Sequence, residues 1–191
     1  MKFDFDVDID MADRDKFLKL IPHVPASINN GGYSKHNSGV YFQKPPTFPI
    51  EGYSVLDYKE AAEEGYLKID FLNNSVYEGV RDEAHLDQLI EIEPNWEMLQ
   101  HEQIVENLFQ IAKYSNLLAK YKPDSVEKLA MFLALIRPGK KYLIGKSWEE
   151  IEKEIWGKPD DGYFFKKAHA ISYSMVIVVQ MNLMMEQSSA A

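Results

Sequence analysis

The chain has 191 residues, of which 46% are hydrophobic, 27% charged and 13% aromatic, so it is long enough to bury one sizeable core or two small ones. Its formal net charge of −9 argues against binding nucleic acid or acidic membranes through net charge alone. The absence of cysteine excludes disulfides, thiolate metal sites and cysteine nucleophiles.

The termini and the apolar segments predict a soluble cytoplasmic protein without a membrane partner. The N-terminal residues are acidic, and no basic segment precedes an apolar one, so a secretory signal is not expected. The most apolar segment, residues 173–185, contains Gln180 and Asn182 and is too short to span a bilayer.

Residues 3–10 alternate strictly between apolar side chains and aspartates. The apolar members are Phe3, Phe5, Val7 and Ile9, and the acidic members are Asp4, Asp6, Asp8 and Asp10. This period of two predicts a half-buried β-strand with all the carboxylates on one face. Same-face neighbours on a strand lie roughly 6.6–7 Å apart, so the carboxylates repel one another. We therefore expect cations on this face.

The rest of the N-terminal region predicts short, mixed elements. A short helix over 12–20 ends before Pro22, and residues 29–39 are rich in turn formers and predict a loop. Strands are expected over 40–43, 53–56 and 66–72, with a helical turn or two over 57–64. In the strand over 66–72, Lys68 and Asp70 share one face.

From residue 81 onward the apolar spacing is helical. Helices are expected over 81–92, over 96–120 with internal breaks, and over 167–186. The segments Asp124–Glu127 and Ser147–Glu150 have the spacing of capping boxes, and the first of them opens a helix that runs to Ile136. The predicted fold class is α+β, with an α/β unit over residues 1–75 and a helical unit over 76–191.

Two explanations for the aspartates involve metal, and one does not. An EF-hand calcium loop requires Gly at its sixth position and Glu at its twelfth, but counting from Asp4 gives Ile9 and Asp15. A two-metal site needs carboxylates on one strand face and one more from a neighbouring strand, which Asp70 can supply. The remaining alternative is an acidic, solvated strand edge.

Two further segments are candidates for anion binding. The Gly/Ser/Asn-rich loop that contains Lys35 and His36 could bind phosphate through backbone N–H groups, although it lacks the Walker A pattern. Lys167 and His169 begin the last helix, where cations and the helix dipole favour anions. The alternatives are a plain surface loop and a solvated first turn.

Three N-terminal segments resemble the palm motifs of the bacterial C-family replicative DNA polymerases, the α subunit of DNA polymerase III. Residues 3–9, followed by Arg14-Asp15, resemble the family's P-D-x-D-x-D-F motif and its R-D pair, without the proline. Residues 35–40 resemble K-H-A-G-G-V. Residues 65–72 resemble G-L-V-K-F-D-F-L, and Asp57 and Lys59 match the family's spacing before it.

Three C-terminal segments resemble the fingers motifs of the same family, in the same order. Residues 108–110 resemble V-F-Q, and residues 123–139 resemble P-D-x-x-E-D-x-x-A-L-x-A-L-x-R-P-G. Residues 164–173 resemble G-F-N-K-S-H-A-A-A-Y. Six motifs in order over nearly the whole chain make the resemblance specific, although each motif alone is modest.

The resemblance implies a nucleotidyltransferase-like palm sheet followed by a helical fingers-like region, and template-directed transfer of deoxynucleotides to a primer 3′-hydroxyl. It implies two Mg²⁺ ions, with Mn²⁺ as a substitute, and dNTP and primer–template DNA as substrates. The implied catalytic and metal-binding residues are Asp6, Asp8 and Asp70, with Asp8 and Asp10 as the alternative register for the first pair. The implied nucleotide-binding residues are Lys35, His36, Arg137, Lys167, His169 and Tyr173.

The chain also departs from the family pattern. The family's E-S pair is Ile111-Ala112 here, and the segment with Y-Q-E-Q and a basic helix is missing between Gly145 and Gly162. Motifs for the polymerase-and-histidinol-phosphatase domain, the thumb, the clamp-binding segment and the oligonucleotide-binding fold are not found. We therefore expect another replication protein to supply thumb or clamp function.

These departures leave two other functions open. One is a non-catalytic, polymerase-derived accessory or assembly protein of a virus or mobile element, which binds replication components. The other is a nucleotidyltransferase that acts on a non-DNA acceptor.

Overall fold

A computed structural model of the chain describes residues 7–157 and 165–189. The chain divides into two compact units, residues 1–78 and residues 79–191. The boundary predicted from the change in periodicity, after residue 75, lies three residues earlier. Asp4 and Asp6 of the acidic run fall outside the described residues.

The first unit contains a four-stranded mixed sheet in the order β1-β4-β3-β2. The strands are β1 (Val7–Met11), β2 (Val24–Asn29), β3 (Tyr33–Tyr41) and β4 (Ile69–Asn73). β1 is parallel to β4, whereas β3 is antiparallel to both β4 and β2. Two helices complete the unit, α1 (Arg14–Leu18) and α2 (Tyr58–Glu63).

Among the described residues of this unit, two small apolar clusters each join the sheet to one helix. Leu18 of α1 packs with Val40 and Phe71, and Phe17 lies against the same group. Ala61 of α2 packs with Ala26 and Tyr41, all three with no exposed surface. A capping box lies at the N-terminus of α2. The side chains of Asp57 and Glu60 each accept a hydrogen bond from the backbone N–H of the other residue.

The predicted loop over 29–39 is wrong for most of its length, because residues 33–41 form β3. Only Asn30, Gly31 and Gly32 make the turn between β2 and β3, with Gly31 at a φ of +87° that favours glycine. Most of the first half of β3 is exposed, so its sequence is polar and lacks the alternation that predicts a strand.

Two further N-terminal predictions need correction. The strand β2 was not expected. The strand expected over 53–56 is reduced to isolated bridges, such as Thr47 with Ser54. The predicted helices over 12–20 and 57–64 and the strand over 66–72 are confirmed with shifted ends.

The second unit is helical. Its helices are α3 (Glu83–Glu91), α4 (Glu102–Val105), α5 (Ser115–Tyr121), α6 (Val126–Leu135), α7 (Trp148–Glu154) and α8 (Lys167–Ser189). Short 3-10 segments cover Ser75–Gly79 at the boundary between the units, and Trp96–Gln100 and Pro138–Leu143 within this one. The breaks expected within 96–120 are confirmed, since three separate elements occupy that range.

The core of the second unit forms around α6, in which every side chain from Leu129 to Leu135 is buried and which packs against α8. The N-cap of α6 is Ser125, whose side chain accepts from the backbone N–H of Lys128. The capping box predicted to start at Asp124 is therefore wrong. Asp124 forms an ion pair of 2.8 Å with Lys128 instead. The capping box at Ser147 and Glu150 is confirmed.

α8 is long and apolar enough to cross a membrane, with a mean hydropathy of 1.3 over its best 18-residue window. Half of that window is buried inside the protein, and a core helix meets the same criterion. The predicted cytoplasmic location stays a prediction.

Candidate active site

The register of β1 against β4 places two of the predicted carboxylates side by side. Asp8 is the partner of Asp70 across this parallel pair, and Asp70 is in turn the partner of Gly39 on β3. Neighbouring strands lie about 4.8 Å apart, and registered residues point to the same face. Asp8 is exposed, whereas Asp70 is only 7% exposed. The row of paired residues Asp8, Asp70 and Gly39 therefore contains one exposed carboxylate beside a buried one.

Both carboxylate oxygens of Asp70 accept hydrogen bonds. Ser38 Oγ donates to Oδ1 at 2.7 Å, and Lys68 Nζ donates to Oδ2. Burial alone would raise the pKa of Asp70, but the hydrogen bonds from Lys68 and Ser38, together with the charge of Lys68, outweigh burial and lower it. Asp70 is thus ionised at neutral pH and held in one orientation.

His36 lies beside Asp70 as a neutral imidazole. Its Nδ1 accepts from the backbone N–H of Gly39 at 2.9 Å and of Ser38 at 3.3 Å, so the ring proton is on Nε2. Burial, and then the positive charge of Lys68, lower the pKa of His36. The distance of 3.6 Å between Nδ1 and Asp70 Oδ1 is therefore not an ion pair, since an accepting Nδ1 carries no proton.

Gly39 is the residue that allows Lys68 and His36 to approach Asp70 together. A Cβ at this position would lie 2.8 Å from Lys68 Cδ and 3.1 Å from His36 Nδ1. Both distances are shorter than ordinary van der Waals contacts. A glycine at this point of the row is needed for close approach of side chains, and its backbone φ is not in the left-handed region.

Arg14, at the start of α1, connects three parts of the first unit. Its backbone N–H donates to Asn73 Oδ1 at 2.8 Å, and its Nη1 donates to the carbonyl of Asn37. The side chain of Asp13 caps α1 by accepting from the backbone N–H of Lys16. Arg14, which the sequence indicated only through an R-D pair, thus fixes the β3 segment that contains His36 and Ser38.

The neighbouring aspartates differ in their surroundings. Asp10 is the strand partner of Leu72 and accepts from Asn74 Nδ2 at 3.1 Å. Asp8 is the described member of the acidic run that lies directly beside Asp70, and it belongs to both predicted registers. In the described part of the chain, no group of three or more His, Asp or Glu side chains is arranged to hold a metal ion.

The two predicted phosphate-binding residues of the 29–39 segment, Lys35 and His36, are neighbours on β3 but have different surroundings. Lys35 is exposed and pairs across the sheet with Ser27, whereas His36 reaches Asp70. A backbone cradle for phosphate is not formed by this segment, because its residues from Tyr33 onward are paired as a strand.

In the second unit, three of the four predicted nucleotide-binding residues converge on Phe165, which is 5% exposed. Arg137 Cζ lies 4.5 Å from the centre of the Phe165 ring. The rings of Tyr173 and His169 lie 5.7 and 6.5 Å from it. His169 and Tyr173 are four residues apart on α8 and so share a face. Lys167 is exposed and lies over the Trp156 ring, at 5.8 Å.

Some residues of the two clusters were not predicted as site residues. Lys68 and Ser38 hold Asp70, and Gln110 Oε1 accepts from Arg137 Nη2 at 3.0 Å. The signal for Lys68 was present, because it shares a strand face with Asp70. Phe165 and Gln110 lie within the motifs but act through contacts distant in sequence.

Comparisons with protein-family models, with curated proteins and with solved structures give no match to this chain.

Proposed function

We propose that the chain is a nucleotidyltransferase of the C-family polymerase type, which transfers deoxynucleotides from dNTP to a primer 3′-hydroxyl. The in-register pair of Asp8 and Asp70 on neighbouring parallel strands supports this proposal best. Carboxylates that lie on one face of adjacent strands can bind a pair of metal ions about 3.5–4 Å apart. The clustering of Arg137, His169 and Tyr173 around Phe165 adds a candidate site for the nucleotide.

The donor set fits Mg²⁺. This ion binds hard oxygen ligands and takes one or two carboxylates together with substrate phosphates. Asp8 and Asp70 supply two carboxylates, and Asp6 is the predicted third ligand. When bound, the ions would lower the pKa of the 3′-hydroxyl and neutralise the charge of the leaving pyrophosphate.

The residues of the first unit would orient the reacting groups. Ser38 would fix the Asp70 carboxylate through Oδ1, while an ion that binds Oδ2 would have to compete with Lys68 for that oxygen. The neutral His36 keeps its proton on Nε2 as a donor for a phosphate oxygen. The 3′-hydroxyl would lose its proton to solvent water, its oxygen would form a bond to the α-phosphorus of the dNTP, and the bond between the α-phosphorus and the pyrophosphate oxygen would break. Arg137 and Lys167 would bind the triphosphate, as guanidinium and ammonium groups do.

Primer extension by the full chain with Mg²⁺ and dNTP tests the proposal. We expect template-dependent incorporation that falls at least about a hundredfold in Asp8→Asn and in Asp70→Asn, since a lost metal ligand costs several kcal/mol. Asp10→Asn is the matched control, because this strand neighbour bonds Asn74 instead. Absent incorporation by the wild type, or equal incorporation by Asp70→Asn, would overturn the proposal.

A second candidate is a non-catalytic accessory protein derived from a polymerase core. It is favoured by the internal satisfaction of Asp70, whose two oxygens are both bonded by protein side chains. Calorimetric titration with Mg²⁺ or Mn²⁺ together with dNTP separates the two candidates. Binding of metal and nucleotide that depend on each other supports the transferase, and binding of neither supports the accessory protein.

A further inference from the structure

Gln110 has an unusual backbone conformation. Its φ is +64°, in the left-handed region that residues with a Cβ rarely occupy. The other described residue of this kind that is not glycine, Lys122, has a simple explanation, because it ends α5 and its N–H bonds the carbonyl of Leu118. Gln110 ends no helix and lies in the turn between α4 and α5. Such conformations persist where the surrounding structure requires them.

The residues that immediately precede Gln110 in this turn are hydrogen-bonded to α8. Gln180 Oε1 accepts from the backbone N–H of Phe109 at 2.8 Å, and Gln180 Nε2 donates to the carbonyl of Asn107 at 2.7 Å. Phe109 also packs edge to face on Tyr173 of α8, with ring centres 5.4 Å apart. The backbone that presents Gln110 is therefore fixed on the helix that contains the predicted nucleotide-binding residues.

The left-handed conformation directs the side chain of Gln110 to Arg137. Its Oε1 accepts from Nη2 of Arg137 at 3.0 Å. One face of the guanidinium lies on the Phe165 ring, and Nε is shielded from solvent and has no hydrogen-bond partner among the described residues. A guanidinium that contacts a ring with one face can still turn within the plane of that contact. The hydrogen bond to Gln110 restricts this rotation of the Arg137 guanidinium.

We infer that Gln110 is a positioning residue, which orients the Arg137 guanidinium so that its remaining N–H groups face a phosphate oxygen of the bound nucleotide. This inference rests on the proposed nucleotide-binding function. Arginine binds phosphate through a rigid fork of donors, so its orientation determines how many charge-assisted hydrogen bonds can form. A small misplacement of such a group costs substantial affinity or rate.

Gln110→Gly and Gln110→Ala separate positioning from folding. Both remove Oε1, but glycine occupies the left-handed region without steric cost, whereas alanine does not. We expect Gln110→Gly to unfold at the same urea concentration as the wild type or a higher one, and Gln110→Ala at a lower one. Both should raise the Kd for Mg²⁺–dATP about tenfold, measured by calorimetry on the full chain. Wild-type affinity in Gln110→Gly would overturn the inference.

NMR of the arginine Nε–H groups provides a readout that does not depend on nucleotide binding, with Arg137→Lys to assign the signal. We expect a sharp Arg137 signal in the wild type and a broadened one in Gln110→Gly, because the guanidinium loses its restraint. An unchanged signal would overturn the inference whatever the nucleotide does. A broadened signal in a protein whose wild type binds no dATP would overturn the proposed function, and with it the nucleotide as the target of Arg137.

Discussion

Lys68 Nζ donates a hydrogen bond to Oδ2 of Asp70, and both side chains are largely buried, with 17% and 9% of their surface exposed. A buried carboxylate requires a nearby cation or several hydrogen bonds, because its charge is otherwise poorly solvated. Lys68 is that cation. A metal ion that binds Asp70 through Oδ2 would therefore have to compete with Lys68 for the same oxygen.

Lys68→Met removes this cation and keeps most of the apolar stem. We expect the pKa of Asp70 to rise, and the free energy of unfolding at pH 7 to fall by about 1–3 kcal/mol, because a buried carboxylate loses its partner. Lys59→Met is the matched control, since Lys59 lies over the same Tyr58 ring but is exposed. Urea denaturation followed by circular dichroism measures both, and an equal loss in the two variants would contradict the prediction.

Gly39→Ala places a methyl group between Lys68 and His36. The nearest atom, Lys68 Cδ, would lie 2.8 Å away and has to move, which pulls Nζ away from Asp70. We expect a loss of about 1–3 kcal/mol in the free energy of unfolding, as for other overpacked sites. The matched control is Gly32→Ala, because a Cβ at Gly32 meets no atom within 4 Å. If the two variants had the same stability, the close approach at Gly39 would be wrong.

His36 should make the stability of the first unit depend on pH. Its folded pKa lies below the ordinary value of 6.5, because burial and then the charge of Lys68 disfavour the imidazolium. The unfolded chain therefore binds the proton first as the pH falls, so stability is complete above pH 6.5 and declines below it. Asp70, with its pKa below 3.8, begins to weaken the fold only when the pH falls below that value.

Urea midpoints measured between about pH 7.5 and about pH 5 test this window. His36→Gln is neutral throughout, so we expect the decline below pH 6.5 to become smaller in this variant. His101→Gln is the control, because His101 is exposed and lies in the second unit. A decline that is the same in His36→Gln as in the wild type would mean that His36 is not its source.

Local periodicity was sufficient to predict the elements that bury one regular face. This holds for the strand that contains Asp70 and for the helix α3. α6 is buried on every side from Leu129 to Leu135, and it was predicted from the capping segment before it. β3 was predicted only at its end, where it overlaps the strand expected over 40–43, because most of its first half is exposed and polar and shows no hydrophobic pattern. The turn formers Asn30, Gly31 and Gly32 were correctly placed, but the turn is shorter than their composition indicated.

The sequence predicted which side chains of the candidate site share a strand face. It did not predict which residues of different elements lie beside one another. The alternation over residues 3–10 predicted an acidic face, and Asp70 was expected on a neighbouring strand. That Asp8, and not Asp10, lies beside Asp70 follows from the register of β1 with β4, which a single sequence does not specify. Gln110 was missed because its role depends on a positive φ and on Arg137, 27 residues away.

Lys140 should stabilise the second unit through the end of α7. Lys140 is buried, and its Nζ donates to the carbonyls of Glu154 and Gly157, at 2.7 and 2.8 Å, at and just after the last turn of α7, where helix carbonyls lack intrahelical i+4 partners. Burial lowers the pKa of Lys140, although the charge of Glu154 acts in the opposite direction. The side chain thus serves as a C-terminal cap made of one cation and two carbonyl oxygens.

Lys140→Met removes both hydrogen bonds to the carbonyls of Glu154 and Gly157. We expect the free energy of unfolding to fall by about 1–3 kcal/mol, and amide hydrogen exchange at the end of α7 to become faster than in the wild type. Lys141→Met changes the adjacent, exposed residue in the same way and should have little effect, as surface substitutions usually do. Comparable losses in the two variants would show that the cap does not stabilise α7, because it is the side chain of Lys140 that donates to the carbonyls of Glu154 and Gly157.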